Sequence, residues 1–419
     1  MGGLSSSLSY PGMQRTSWST YVTAAVAMYL SLCWLLRFRR RDTLAKKFNY
    51  PDKASFARMT NVDAQAILQY LAELEFPRIY EMSLQFALFK TYGIPTISSL
   101  LAATKEFSTP ENASKRYADT GVLIAEFSSH PPRHERVVKA IARMNYIHSR
   151  YQKAGKISND DLLYTLSVFV TEPISWINKY EWRDLTEMEI CAFGVFWKSM
   201  GDAMGIQYQG VLAHSEWADG IEFMHDISAW AKSYENAYMV PAASNKQTAD
   251  ELVSLLLFYV PTYFKSAGGH LVGVMMGDLL RKAMIYPDPP ESYFGIVSTV
   301  FAIRRFVTRH LLLPRYIPQR AIEEHPNPST GRYNYKNYLV HPFYNNPGFL
   351  NRWGPEAWFV WLAGGKIPGS DGDKYIPQGY RFEEVGPNIM KGKGVEETNV
   401  IEQKLWAERP SGCPFAFAR

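Results

Sequence analysis

The sequence lacks the features that identify several common classes of protein. Its three cysteines, Cys33, Cys191 and Cys413, lie far apart without CxxC spacing, which excludes a disulfide framework and a zinc knuckle. Their scarcity is typical of a reducing compartment. The sequence contains no GxGxxG after a strand, no phosphate-binding loop of the GxxxxGKS/T type, and neither HExxH nor GxSxG. These absences argue against dinucleotide-binding, P-loop, zincin and α/β-hydrolase folds.

Strand patterns are also nearly absent. Apolar residues make up 47% of the 419 residues and charged residues 20%, which is typical of a globular chain. Alternation of apolar and polar residues is rare, so we predict an all-α fold. The net charge is +5, but part of the basic charge lies in one run between residues 37 and 47. It is not spread with aromatic residues over a face, so we expect no nucleic-acid partner.

The clearest physical signal is an uncharged stretch near the N-terminus. Residues 20–36 carry no charge, and the anchor that we predict over residues 20–38 is long enough to cross a ~30 Å hydrocarbon layer as a helix. The basic run RFRRRDTLAKK follows at once, so the positive-inside rule predicts a single-pass anchor with residues 1–19 in the lumen and the body in the cytosol. A cleaved signal peptide is the alternative, but its positive charge should precede the apolar run.

Beyond the anchor, residues 50–313 are predicted to form one helical domain. The central pair of helices is predicted from about His134 to Gln152 and from about Asp160 to Tyr180. We predict further helix starts at Thr60, at the Thr186–Glu189 capping box, near Asp219 and at Thr248, a chain break at Gly268–Gly269, and a last strong helix from Phe294 to Leu313.

The character of the chain changes at Pro314. Residues 314–419 are rich in proline, glycine, asparagine and tyrosine, and one short apolar piece, PEAWFVWLAGG, interrupts them. The region shows no periodic core of its own. We therefore predict an extended tail packed on the helical body and not a second domain.

The first central helix carries a candidate metal ligand. Val137, Ile141, Met144 and His148 follow at steps of four, three and four, so His148 faces inward with apolar residues. Such an imidazole can bind a metal or a haem iron, or it can be a hydrogen-bonded core residue. Arg143 lies five residues earlier, to one side of this stripe. The group His214, Glu216, His225 and Asp226 is a second possible metal site. The backbone at His270, at a predicted helix start, could bind an anionic group.

Several long strings of residues point to a family. They include QFALFKTYGIPTIS at 85–98, KRYADT at 115–120, RMNYIHSRYQ at 143–152, FWKSMGDAMGI at 196–206 and NRWGPEAW at 351–358, with CPF near the end. With these strings and the N-terminal anchor, the chain resembles the fungal MpaB-type oxygenases bound to the endoplasmic reticulum (ER). These belong to the wider MpaB/rubber oxygenase catalytic-domain family. The resemblance covers nearly the whole chain.

The resemblance implies a globin-like helical fold, a haem b cofactor and a specific reaction. The expected activity is O2-dependent cleavage of a double bond in a prenyl (farnesyl) side chain of a prenylated aromatic polyketide, in a meroterpenoid pathway of the mycophenolic acid type. The ER membrane is the expected location. Alternatives are a non-catalytic scaffold that binds prenyl lipids, and a hydroxylase or isomerase of the same substrates.

The resemblance also implies candidate residues. Arg143 and His148 match an arginine and a histidine that the wider family carries on one helix, so both are expected to be catalytic and to bind the cofactor, with Arg143 contacting a haem propionate or dioxygen. The family's usual axial histidine, in a Trp-Val-His string on the next helix, is replaced here by Leu166. We therefore expect His148 to take over as haem iron ligand. His225, His270 or a different metal centre are the alternatives.

Overall fold

The chain folds into helices joined by turns and loops, as the sequence predicts. The computed structural model describes residues 17–105, 109–338, 340–408 and 412–415. Within these ranges it contains no β-strand, and only two isolated β-bridges occur, both in the C-terminal region. The predicted all-α fold class is therefore confirmed for the described part of the chain.

The N-terminal segment forms a long apolar helix with most of its surface uncovered. Helix α1 covers Trp18–Arg37, followed by α2 (Arg39–Phe48) and α3 (Lys53–Phe56). By length and composition, the stretch Trp18–Phe48 can cross a membrane, and only 6% of its most apolar window is buried. An apolar helix that does not pack into the core is suited to a lipid environment. Residues 1–16 of the expected lumenal segment lie outside the described residues.

The body is built from helices that run from residue 61 to residue 310. A π-helical turn, Leu71–Glu75, directly continues the first of them. In chain order the helices are α4 (Asn61–Tyr70), α5 (Pro77–Thr91), α6 (Pro95–Ala103), α7 (Pro110–Ser129), α8 (Glu135–Lys153), α9 (Asn159–Tyr180), α10 (Glu187–Ala203), α11 (Gly220–Tyr238), α12 (Ala243–Leu256), α13 (Lys265–Ala283) and α14 (Glu291–His310).

The predicted central pair of helices is confirmed as α8 and α9. The Ser158 side chain accepts a hydrogen bond from the backbone N–H of Asp161, and the Asp161 carboxylate accepts one from the backbone N–H of Ser158, which starts α9. Helix α10 starts with the predicted box of Thr186 and Glu189. These boxes satisfy backbone N–H groups that have no partner inside the helix.

Helix α12 begins earlier than predicted. We expected Thr248 to cap it, whereas the helix starts at Ala243. The Thr248 hydroxyl lies inside the helix and donates to the carbonyl oxygens of Ser244 and Asn245, each at 3.0 Å. A threonine hydroxyl can bond either a helix start or the preceding turn, and the local sequence does not decide between them.

The predicted break at Gly268–Gly269 is also wrong, since α13 runs through both glycines. A Cβ at Gly268 would lie 2.7 Å from Leu257 Cδ2, so glycine here permits close packing. The interruption of α13 lies at Gly277, whose φ of +72° is a conformation that favours glycine.

Helix α9 lies at the centre of the body, where it packs against α5, α10, α11 and α14. Its Leu163, Tyr164 and Ile177 are fully buried. Burial of each such side chain contributes about 2 kcal/mol relative to exposure. Directly after α9, the Arg183 guanidinium donates to both carboxylate oxygens of Glu189 at 2.8 Å, which fixes the turn into α10.

The region from residue 314 wraps around the body but is not wholly extended. It contains α15 (Phe349–Trp353), α16 (Pro355–Leu362) and α17 (Val395–Glu408). The sequence did not predict α17, which packs along α8. Buried tyrosines of this region share an apolar cluster with side chains of α7 and α8, among them Tyr335, Tyr344, Tyr375 and Tyr380 with Val122 and Ala140.

Candidate functional site

A largely apolar cavity of about 210 Å³ lies between helices α5 to α10. Gly386 and Pro387 of the C-terminal region form part of its wall. Apolar pockets with a few polar groups are the usual form of small-molecule sites. The apolar lining includes Leu88, Ile97, Leu101, Leu123, Ile124, Phe127, Met144, Ile147, Leu162, Leu166, Phe169, Trp197 and Met200.

The two central helices supply adjacent faces of this cavity. Helix α8 presents Met144, Ile147, His148 and Tyr151, which follow at positions i, i+3, i+4 and i+7. Helix α9 presents residues 162, 165, 166 and 169 at the same spacing. Because this spacing places side chains on one face of a helix, each sequence directs one stripe into the cavity.

His148 is the histidine on this wall, among the residues that the structure describes. Its Nδ1 atom is buried and has no hydrogen-bond partner within the described residues. Burial, and next the positive charge of Arg116, lower the pKa of His148 to about 4. The imidazole is therefore neutral at the pH of the cell, which is the form that binds metals.

Arg116 on α7 is a second polar residue of the wall, and the sequence analysis did not single it out. Its Nε atom is also buried without a hydrogen-bond partner in the described part of the chain. Buried polar atoms are nearly always paired. Three nitrogens of this cavity, on His148, Arg116 and the Trp197 indole, lack a hydrogen-bond partner among the described residues, which indicates a bound group with polar or anionic atoms. The only sequence signal was that Arg116 lies within the KRYADT string.

The structure places Arg143 away from the cavity wall. Its fully buried guanidinium donates from Nε to the Val385 carbonyl at 2.9 Å, and from its terminal nitrogens to the carbonyls of Met390 (2.9 Å) and Lys393 (2.8 Å). These bonds hold the C-terminal segment onto α8. Arg143 thus makes no contact that supports the expected role with a haem propionate or dioxygen. That role stays an untested prediction.

A second buried cation holds the same segment at the cavity. Lys115 Nζ donates to the Gly386 carbonyl and to Asp119 Oδ2, both at 2.7 Å. The Tyr344 hydroxyl donates to Asp119 Oδ1 at 2.6 Å. Burial raises the pKa of Asp119, although Lys115 opposes this. A Cβ at Gly386, whose φ is +114°, would lie 2.6 Å from Ile147 Cδ1, so the close approach depends on glycine.

The other proposed metal sites are not supported. His225 is exposed and His270 packs against the Tyr293 ring at 4.9 Å between centroids, and neither borders the cavity. The described residues contain no group of three or more metal-binding side chains, so the iron site around His214 and Glu216 is wrong. Asp226 instead accepts hydrogen bonds from the backbone N–H of His214 and from the Trp217 indole.

The donor set at the cavity fits a haem better than an ion held by several side chains. A haem iron needs as little as one protein ligand, and an adjacent cation suits its carboxylates. His148 can be the iron ligand, and Arg116 can be the cation beside the carboxylates. Leu166 borders the cavity at the position of the family's usual axial histidine, and it cannot bind iron. The residues therefore fit a haem only if His148 is the ligand.

Comparison with known proteins gives close relatives along nearly the whole chain. The chain is 40% identical over 405 residues to "ER-bound oxygenase mpaB'" of Penicillium brevicompactum, covering 96% of this chain and 95% of the relative. It is 38% identical over 381 residues to "ER-bound oxygenase mpaB" of the same species, covering 90% of each. The "ER-bound oxygenase mpaB" of Penicillium roqueforti (strain FM164) is 43% identical over 273 residues, covering 65% of this chain and 91% of the relative. No family model matches the chain.

Proposed function

Because this chain belongs to the family of fungal MpaB-type ER-bound oxygenases, we propose that it cleaves a double bond in the prenyl side chain of an aromatic polyketide. O2 is the oxidant and the substrate is a farnesylated intermediate of a mycophenolic-acid-like meroterpenoid pathway. The chain is an oxidoreductase, as its relatives are named oxygenases. In this reaction the two carbons of the double bond separate, and each takes one oxygen atom as a carbonyl.

The observation that carries the proposal is the apolar cavity that His148 borders. A prenyl chain is flexible and wholly apolar, and the lining offers mainly aliphatic and aromatic carbon. The buried side chains Leu162 and Phe169 add apolar surface to this wall. The neutral imidazole of His148 is one polar group of the wall, and it can position a reacting centre within the cavity.

Haem b is the cofactor that we propose for this cavity. His148 would hold the iron and Arg116 would face the carboxylate groups of the haem. When bound there, the haem would supply the activation of O2. Lys115 and Arg143 act on the site through the backbone, because they hold residues 385–393 against α7 and α8.

The ER membrane suits the proposed substrate. We propose that α1 crosses the bilayer once, with the basic flank and the body on the cytosolic side. A farnesylated compound partitions into the bilayer, since each buried CH₂ contributes about 0.8 kcal/mol. An enzyme anchored in the same membrane therefore meets its substrate in two dimensions.

Product analysis with labelled oxygen tests the reaction. Purified full-length protein in lipid nanodiscs is incubated with a farnesylated aromatic substrate under ¹⁸O₂. We expect two carbonyl fragments whose masses add up to the substrate plus one O₂. A single product with one added oxygen would indicate a hydroxylase, and an unchanged mass with altered retention an isomerase. Substrate that binds without turnover would favour the scaffold.

A further inference from the structure

A pair of short helices in the C-terminal region exposes an unusual density of aromatic side chains. On α15 and α16, Trp353, Trp358, Phe359 and Trp361 are each more than half exposed, and Leu362 is 72% exposed. Contiguous exposed apolar patches of this kind are rare on soluble proteins and mark interaction surfaces. Tryptophan in particular favours the boundary between lipid and water.

Helix α14 exposes a second apolar strip. Val300, Ile303 and Phe306 recur every three residues and are 57%, 59% and 57% exposed. This spacing places them on one side of the helix. The chain after α14 continues the strip with Leu312 and Ile317, of which Ile317 is 80% exposed.

The end of this strip contacts the membrane helix directly. The Tyr29 hydroxyl donates to the Leu311 carbonyl at 2.9 Å, and the Arg37 guanidinium donates to the Leu312 carbonyl. Tyr29 and Arg37 are separated by about 12 Å along the axis of α1. Residues 311–313 therefore lie beside the last turns of α1. If α1 spans the bilayer up to its basic flank, these leucines lie at the depth of the adjacent leaflet.

The aromatic helices connect to the same end of the anchor. The Arg40 guanidinium donates to the Arg315 carbonyl. Arg78 lies near enough to both Arg315 and Glu356 for their charges to interact, and Glu356 is in the first turn of α16. Arg78 and Arg315 thus relate the first turn of α16 to the basic residues at the C-terminal end of α1.

We propose that the exposed faces of α14, α15 and α16 form a second membrane-contacting surface. It contacts the leaflet in which the C-terminal end of α1 lies. Its partner is a lipid bilayer. The exposed tryptophans would enter the boundary region, and the exposed Arg39 just after the C-terminal end of α1 would face lipid phosphates. This surface holds the body against the membrane in one orientation, together with the contacts that join α1 to the end of α14. The proposal rests on the anchored topology of the proposed function.

Site-directed fluorescence in proteoliposomes tests this surface with the full-length chain. The variant Trp358→Cys is labelled with an environment-sensitive dye and reconstituted in phosphatidylcholine vesicles with or without doxyl-labelled lipid. The native cysteines Cys33, Cys191 and Cys413 are buried, so labelling is expected at the introduced thiol. The matched control is Val400→Cys on α17, where the apolar side chain is 66% exposed. Phe359→Cys reports the same surface if Trp358→Cys does not fold.

We expect a shift of the emission to shorter wavelength and strong quenching by doxyl lipid at position 358, with neither effect at position 400. If the protein floats with the vesicles but the dye at position 358 is not quenched, the result supports the membrane anchor and refutes the second surface. A shifted but unquenched emission would mean that a protein covers this face, which also refutes it. Protein that does not float with the vesicles would refute both the anchored topology and this surface.

Discussion

His148 and Arg116 face one cavity from α8 and α7, and each holds a buried nitrogen without a hydrogen-bond partner among the described residues. The charge of Arg116 also lowers the pKa of His148. A buried polar atom without a partner costs about 1–3 kcal/mol. A fold that keeps these two nitrogens and the indole nitrogen of Trp197 unpaired at one cavity is best explained by a bound group with polar atoms. Arg116 borders this cavity together with His148, whereas Arg143 does not border it, and the predicted role of Arg143 stays untested.

Removal of the Arg116 charge is expected to weaken cofactor binding. In Arg116→Met we expect the affinity for the cofactor and the activity to fall by about 10- to 100-fold, the range typical of residues that support a metal centre. Arg116→Lys keeps the charge and is expected to retain part of both. The measurement is haem content and turnover of purified protein. Arg150→Met, at an exposed arginine near the end of α8, is the control. Full cofactor content in Arg116→Met would contradict the assignment.

Arg143 is expected to act on the position of the C-terminal segment. Arg143→Met leaves the buried carbonyls of Val385 and Met390, and the carbonyl of Lys393, without their donor. We expect a loss of roughly 3 kcal/mol or more in the free energy of unfolding. Hydrogen exchange should accelerate at residues 385–393 before other regions. An Arg143→Met variant with unchanged exchange there but abolished turnover would instead support a direct catalytic role.

The low pKa of His148 predicts a specific loss of stability in acid. The folded pKa is about 4 and the ordinary value is 6.5, so the unfolded chain binds the proton first as the pH falls. Stability is therefore lost from pH 6.5 downward, by up to roughly 3 kcal/mol at pH 4. His148→Gln lacks this group. Melting temperatures are measured on the detergent-solubilised protein without cofactor. As the pH falls across this range, the stability of the variant should decrease less than that of the wild type. Parallel curves would contradict the burial of a neutral imidazole.

The orientation of the anchor predicts the state of one asparagine. Asn112-Ala113-Ser114 is an acceptor sequence for N-glycosylation at the start of α7. With the body in the cytosol, Asn112 does not meet the glycosylation machinery. Treatment of the microsomal protein with an endoglycosidase should therefore leave its gel mobility unchanged. A shift that Asn112→Gln abolishes would place the body in the lumen.

Much of the fold could be predicted because it depends on local patterns. The bounds of α8 and α9 follow from helical periodicity and from caps within three residues of each helix start. The same periodicity directed His148 inward, where the structure places it. Thr248 shows the limit of local reasoning, since its hydroxyl was equally able to cap a helix or to bond inside one.

The site itself depended on contacts between distant parts of the chain. Arg143 contacts carbonyls more than 240 residues away, and no periodicity in either segment indicates this pairing. Arg116 reaches the cavity from a different helix than His148, so sequence spacing could not join the two. Helix α17 has six apolar residues among fourteen, but Leu405 is the one that is buried, and the packing of the helix against α8 is not revealed by its sequence.

The central claim is that His148 holds the iron of a bound haem. The most direct test is the visible spectrum and iron content of the purified full-length protein beside His148→Ala, with His225→Ala as control at an exposed histidine. We predict an intense Soret band and about one iron per chain in the wild type and in His225→Ala, and the loss of both in His148→Ala. A wild-type protein without haem, or a His148→Ala variant that keeps its band and its iron, would contradict the claim.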